Sequence, residues 1–152
     1  MKNGLLASGS TDSTIRIWDM DNFMAVTIIK THLDFVNLKL IQLQNGDLIY
    51  GGKFDSLIAF SENKDFELIS DLAKNSPIEF NEIYDITELN DNEFAVLYND
   101  AIEFWKENED NGYECNNYIE FGEDFDPVCI LKFNKEIEFE CETNGICFFE
   151  KM

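Results

Sequence analysis

Four segments of this 152-residue chain end alike: Ile15-Arg16-Ile17-Trp18, Leu57-Ile58-Ala59-Phe60, Ile102-Glu103-Phe104-Trp105 and Ile146-Cys147-Phe148-Phe149. Each is closed by a large aromatic, and the closing aromatics stand 42, 45 and 44 residues apart. A fixed period of this size marks one supersecondary unit repeated along the chain. No unit of that kind buries its apolar surface alone, so the repeats must stack on one another.

Between the closing aromatics the chain reads as short strands broken by turn residues, with no convincing amphipathic helix. The expected strands are Leu5–Ser8, Thr14–Trp18, Ala25–Ile29, Val36–Leu43, Leu48–Gly51, Leu57–Phe60 and Glu67–Ser70. They continue as Glu82–Leu89, Phe94–Tyr98, Ala101–Trp105, Tyr118–Phe121, Val128–Phe133, Glu136–Cys141 and Ile146–Phe149. Asn45-Gly46-Asp47, Asn90-Asp91-Asn92 and Asn144-Gly145 supply residues that tolerate the left-handed backbone of tight hairpins. Pro77 and Pro127 are expected in connections ahead of inner strands, where a proline removes no ladder hydrogen bond. The period and the strand rhythm together predict an all-β fold, a partial β-propeller of four-stranded antiparallel blades. The repeat units fall over roughly residues 1–30, 31–75, 76–121 and 122–152 of a single domain.

The stretch Leu5-Leu6-Ala7-Ser8-Gly9-Ser10-Thr11-Asp12-Ser13-Thr14-Ile15-Arg16-Ile17-Trp18-Asp19 resembles the second half of a WD repeat, including the closing Trp-Asp pair. Thr31-His32-Leu33-Asp34-Phe35-Val36 is similar to the Gly-His opening of the next repeat, with Thr31 in place of Gly. The resemblance implies a buried hydrogen-bond network of His, Ser or Thr, Asp and Trp locking each blade. Ser8, Asp12 and Trp18 would serve the first blade, with the matching His before Met1. His32 and Asp55 would serve the second, where Gly51 stands at the expected hydroxyl and Phe60 at the indole. Lys106 and Glu150 replace the Asp of the Trp-Asp pair in the later repeats. The specific motifs are thus confined to residues 5–36, while the strand rhythm runs nearly throughout.

Counted in repeats, the first blade lacks its innermost strand and the last its outermost. Two explanations are open: a segment of a longer propeller, or a ring completed by another chain or a second copy. The first is preferred, because a simple dimer would place six strands at a junction that wants four.

The content of 45% hydrophobic and 14% aromatic residues suffices for one core. Neither a membrane-spanning run nor a signal-peptide h-region is seen, so the expectation is an intracellular, cytoplasmic protein, the nucleus included. The net charge of −20 divides unevenly, −3 over residues 1–75 and −17 over 76–152. Such a field repels nucleic acid and anionic lipid and steers basic proteins. Cys115, Cys129, Cys141 and Cys147 lack zinc-site spacing and read as reduced thiols, although Cys141 and Cys147 could face each other across a hairpin.

Chemistry finds little support. The single histidine, His32, is accounted for as a repeat opener, and no triad, phosphate loop or zinc-hydrolase motif occurs. Glu107-Asn108-Glu109-Asp110-Asn111-Gly112 fails the pattern of a calcium loop, and the carboxylates of Glu123, Asp124 and Asp126 read as solvated loop acids. No catalytic residue, metal or cofactor is expected. Phe94, Phe104, Phe121, Phe133 and Phe139 are assigned to the core between blades. The expected function is a non-catalytic scaffold binding a protein or peptide partner, basic in character, with neither nucleic acid nor membrane. The alternatives are a propeller-borne hydrolase using acidic residues and a truncated paralogue without independent activity.

Overall fold

A computed structural model describes residues 4–31, 39–52, 57–62, 65–78, 82–90, 92–121, 127–133, 136–141 and 145–150; at 127 and 131–150 the description is of the backbone. Among these residues fourteen strands form four antiparallel sheets. The first sheet joins β1 (Leu5–Ser10), β2 (Thr14–Asp19) and β3 (Met24–Lys30). The second joins β4 (Lys39–Gln42), β5 (Leu48–Gly51), β6 (Leu57–Ser61) and β7 (Glu67–Asp71). The third joins β8 (Ile83–Asn90), β9 (Glu93–Tyr98), β10 (Ala101–Glu107) and β11 (Tyr113–Glu120). The fourth joins β12 (Pro127–Phe133), β13 (Glu136–Cys141) and β14 (Gly145–Glu150). Within every sheet, strands adjacent in sequence are adjacent in space. These are the antiparallel blades of a partial β-propeller.

The hairpins follow from local chemistry. Gly46 adopts φ 100° between β4 and β5, and Asn92 adopts φ 62° between β8 and β9, the left-handed backbone that those residue types tolerate. Pro127 is the first residue of β12 instead of lying in the connection, a strand position where proline is equally acceptable. In the last hairpin Cys141 pairs with Gly145 and Cys147 with Phe139, so the two cysteines do not oppose one another.

The outer strand of the third sheet starts at Tyr113, five residues ahead of the expected Tyr118. Asn108 Oδ1 accepts hydrogen bonds from the backbone N–H of Asp110 and of Gly112, both at 3.0 Å, and closes the preceding loop tightly. Tyr113 then packs edge-on against Phe94, with ring centroids 5.5 Å apart. The polar sequence Glu114-Cys115-Asn116-Asn117 hides this strand, because only alternate residues of an outer strand need be apolar.

The repeat is also written in the backbone. A register shift falls between Ile17 and Trp18, between Ala59 and Phe60, and between Phe104 and Trp105. A bulge therefore sits directly before the closing aromatic of the first three repeats, where it re-aims the large side chain that follows.

Because side chains alternate across a strand, each inner blade offers two apolar faces. Ile15 and Ile17 meet Leu48, Tyr50 and Phe60 in the first seam. Leu43, Ile49, Leu57 and Ala59 meet Ile83, Ile86, Phe94, Val96 and Trp105 in the second. Leu89, Leu97, Ile102 and Phe104 meet Ile130 in the third, where Phe121 also packs; the side chains of Phe133 and Phe139 lie outside those described. A fully buried Ile or Leu is worth about 1.5–3 kcal/mol relative to exposure. These seams hold sheet against sheet, while hydrogen bonds hold strands within a sheet. A short 3-10 helix, Leu72–Asn75, follows β7 and buries Leu72 completely in the second seam.

Candidate functional site

Of the residues read from the sequence as a blade lock, two meet. Trp18 Nε1 donates to Ser8 Oγ at 2.9 Å across the β1–β2 pair. Asp12 lies apart from them in the hairpin between these strands. Its Oδ1 accepts from the backbone N–H and the hydroxyl of Thr14 at 3.1 and 2.6 Å, and its Oδ2 pairs with Arg16 Nη2 at 2.6 Å. The Thr14 hydroxyl is the main influence holding the Asp12 carboxyl below its ordinary value; desolvation opposes it, and Ser10 and Arg16 add to the lowering. His32 and Asp55 lie outside the described residues.

In the second blade the register shifts the comparison by one residue. Ser8 stands opposite Arg16, two positions before Trp18; Tyr50 stands opposite Ile58, two positions before Phe60. The counterpart of Ser8 is therefore Tyr50, and Gly51 corresponds to Gly9. A Cβ on Gly51 would lie 2.5 Å from Ile83 Cδ1 and 3.0 Å from Ile86 Cδ1, so a side chain there would have to displace these two residues of the third blade. Tyr50 stacks on Phe60 with ring centroids 6.2 Å apart. Burial pushes its phenol up to about 12, opposed by a hydrogen bond with Thr31.

The third blade carries a lock that the sequence reading passed over. Glu103 is completely buried, at 0% exposure, on the same strand face as Trp105. Its Oε2 accepts from Trp105 Nε1 and from Tyr98 Oη, each at 2.8 Å, and Ser76 Oγ donates to Oε1. Here the counterpart of Ser8 is Val96, which cannot accept a hydrogen bond. The acceptor for the indole has moved from the neighbouring strand to the same strand, two residues before the tryptophan. One signal was available: a lone acid two residues before Trp105 in the otherwise apolar run Ala101-Ile102-Glu103-Phe104-Trp105 must share its buried face and needs partners there.

Polar contacts also tie blade to blade. Tyr113 Oη donates to Asp47 Oδ2 at 2.8 Å and accepts from Asn45 Nδ2 at 2.9 Å, joining the third blade to the β4–β5 hairpin. The Gln44 N–H donates to Glu88 Oε1 at 2.6 Å, and the Ile130 N–H to Asp85 Oδ2 at 2.9 Å. Burial, with opposing and reinforcing hydrogen bonds, raises the Tyr113 phenol far above its ordinary value, and burial beside Glu103 does the same to Tyr98. Both therefore act as permanent hydrogen-bond donors.

The closing aromatics of the second and third repeats point the same way. Phe60 packs toward the first blade and Trp105 toward the second. Ile15 and Ile17 cover the opposite face of the first blade, which leaves the Trp18 face open. Across that face run the rows Leu6–Trp18–Ala25 and Ser8–Arg16–Ile28. Leu6 and Ile28 are about half exposed, at 49% and 55%, and Met20, Phe23, Met24 and Val26 add exposed apolar surface along the β2–β3 hairpin and β3. Exposed apolar side chains gathered on one blade are the kind of surface that binding partners use.

Reactive groups offer less. Burial first, then the charge of Glu103, pushes the Cys115 thiol up to about 11, which makes it a poor nucleophile at neutral pH. Among the described residues, no group of three His, Cys, Asp or Glu is placed to hold a metal ion, and no helix is long and apolar enough to cross a membrane. The loop acids Glu123, Asp124 and Asp126 lie outside the described residues.

Fold and site together define the molecule as a partial β-propeller with exposed apolar side chains on its first blade. No protein-family model matches the chain. Two curated relatives, the U3 small nucleolar RNA-associated protein 15 homologs of Xenopus tropicalis and Xenopus laevis, are 27% and 26% identical over 74 residues. That match covers 49% of this chain and 14% of each relative, so the similarity spans a small part of those proteins. Among solved structures, a chain of a mitotic checkpoint complex superposes with TM-score 0.75 at 14% identity, over 97% of this chain and 47% of that one. The computationally designed proteins Ika4 and Ika8 superpose with TM-scores 0.73 and 0.77 at 11% and 12% identity. They match 99% of this chain and 87% and 44% of their own lengths. At such identities the structural likeness is one of fold.

Proposed function

We propose that this chain is a non-catalytic protein-interaction scaffold of the WD-repeat type. The observation that carries the reading is the exposed apolar surface of the first blade, where Leu6, Phe23, Met24, Val26 and Ile28 are each about half exposed or more. The net charge of −20 selects against nucleic acid and favours a protein partner with a basic surface. The curated relatives are named for association with a small nucleolar RNA. In an assembly of that sort the acidic chain would join through protein contacts, because phosphate repels it.

The rival reading is a hydrolase that uses Glu123, Asp124 and Asp126, and no observation favours it. The test is chemical cross-linking of the purified full-length gene product in cell extract, with native mass by light scattering alongside. A protein partner cross-linked through the first blade is the expected result. A folded monomer with no partner above background would defeat the scaffold reading.

A further inference from the structure

The outer strands of the three blades whose outer strands are described differ in one respect that bears on partners. In each, the outer strand has a neighbour on one side only, so its second row of backbone N–H and C=O groups faces outward. Proteins normally blunt such edges with charged residues or proline. β7 does so with Glu67 and Asp71 at its ends, and β11 with Glu114 and Glu120 among asparagines. β3, Met24-Ala25-Val26-Thr27-Ile28-Ile29-Lys30, carries one charge in seven residues, at its last position. Met24, Val26 and Ile28 are each more than half exposed, whereas β7 exposes one large apolar residue, Leu68, and β11 one, Tyr118.

The hairpin that leads into β3 extends the surface. Phe23, 73% exposed, sits at the start of the strand. Asp19 accepts hydrogen bonds from the Asp21 N–H at 2.8 Å and from Asn22 Nδ2 at 2.7 Å, and Asn22 Oδ1 accepts from the Met24 N–H at 2.9 Å. These bonds fix the turn, so that Phe23 is held outward before any partner arrives, which lowers the ordering cost of binding. Asp19 and Asp21 put two negative charges at this end of an otherwise apolar strand.

We infer that the free edge of β3, with Phe23 beside it, is a docking strand for an extended basic segment of a partner protein, which adds to the first sheet by backbone pairing. The proposal rests on the scaffold reading and names the site and the partner chemistry within it. Backbone hydrogen bonds give such a segment its affinity, and exposed apolar side chains on both sides of the edge, Ile28 on the Trp18 face and Met24 on the other, give it register. Lysine or arginine in the segment meets Asp19 and Asp21 and is drawn in by the field of the whole chain. A second copy is the wrong occupant, because pairing β3 with itself brings two chains of net charge −20 together. The free edge of β1 is a different position, occupied by β4 and β8 in the second and third sheets.

The test uses the full chain and a synthetic peptide, acetyl-(Lys-Val)4-amide, with two controls: the same peptide N-methylated at alternate residues, and its Glu-for-Lys analogue. Calorimetry should show saturable binding of the basic peptide, weakened by salt. Hydrogen exchange should show new protection of the amides of residues 24–30. N-methylation, the acidic analogue and the substitution Ile28→Lys should each weaken binding by about tenfold or more. Ile28 is exposed, so I28K should keep the wild-type circular dichroism, and Val26→Lys provides an independent variant at the same edge. Binding that survives both N-methylation and I28K, or protection that appears on β1 instead, would overturn the β3 assignment, as would a dimer protected at β3. A partner cross-linked equally to wild type and I28K would also overturn it while leaving the scaffold reading in place; no partner and no peptide binding would overturn both.

Discussion

Trp18 and Trp105 occupy the same place in their repeats, each just after a bulge and each at the end of the third strand position of its blade. Their surroundings diverge. Trp18 lies on the open face of the first blade, and a single serine hydroxyl from the next strand meets its indole. Trp105 is 1% exposed under the second blade, and its indole is held by a carboxylate that also gathers Tyr98 and Ser76. The difference follows from burial. An indole N–H that water can reach needs little help, whereas one sealed between sheets must have an acceptor, and a stronger one where other donors share it. The lock of a blade is therefore set by what covers the blade as much as by the repeat pattern.

The sharpest way to break the comparison is Glu103→Ala. It leaves the Trp105 N–H and the Tyr98 hydroxyl without their shared acceptor in a buried seam, while the Ser76 hydroxyl keeps Ile78 O at 2.9 Å, and each buried donor left unpaired costs about 1–3 kcal/mol. A loss of about 3–5 kcal/mol is expected by urea denaturation followed through tryptophan fluorescence. Glu103→Gln keeps one acceptor oxygen and should lose about 1–2 kcal/mol. A loss below about 0.5 kcal/mol for the alanine variant would show that the network is not what secures the third blade.

Next in size is Gly51→Ala, which drives a methyl into Ile83 Cδ1 and Ile86 Cδ1 between the second and third blades. Overpacking of this kind costs about 1–3 kcal/mol. Pairing it with Ile83→Val should return part of that loss, because removing the Cδ1 methyl makes the space; purely additive losses would refute the clash. Ser8→Ala, the counterpart of the Glu103 substitution in the first blade, is expected to cost about 0.5–1 kcal/mol, since the Trp18 indole is only part-buried and loses one neutral acceptor. If Ser8→Ala were as damaging as Glu103→Ala, the Trp18 face would have to be covered in solution. That result would sharpen the picture of the open blade.

How much of this was legible beforehand depends on which residues carry it. The four closing aromatics and the turn residues Gly46 and Asn92 placed the strands, because period and turn chemistry are local properties. The Ser8–Trp18 bond was accessible through the family pattern. The Glu103 lock, the counterpart role of Tyr50 and the bar to a side chain at Gly51 were not. Each depends on register or on a neighbouring blade, which the chain encodes only through packing between residues far apart in sequence. Asp12 was assigned to the lock through the resemblance to a WD repeat, yet a carboxylate in an exposed hairpin finds Thr14 and Arg16 closer to hand.

That placement of Asp12 yields the smallest and most specific prediction. Its carboxyl is depressed below 3.8 in the folded chain, chiefly by the Thr14 hydroxyl. A folded-state value lower than the unfolded one contributes stability that is fully present above the unfolded value and disappears as pH falls through the folded one. Any contribution of the β1–β2 hairpin should thus fade only below about pH 4, and salt should screen the Arg16 part of it. Carbon-detected NMR titration should place Asp12 below 3.8, with Thr14→Val raising it more than Arg16→Met does. The reverse order would make the ion pair the controlling contact. A titration above 3.8 would return Asp12 to a more buried setting, and with it the first blade to the kind of lock seen in the third.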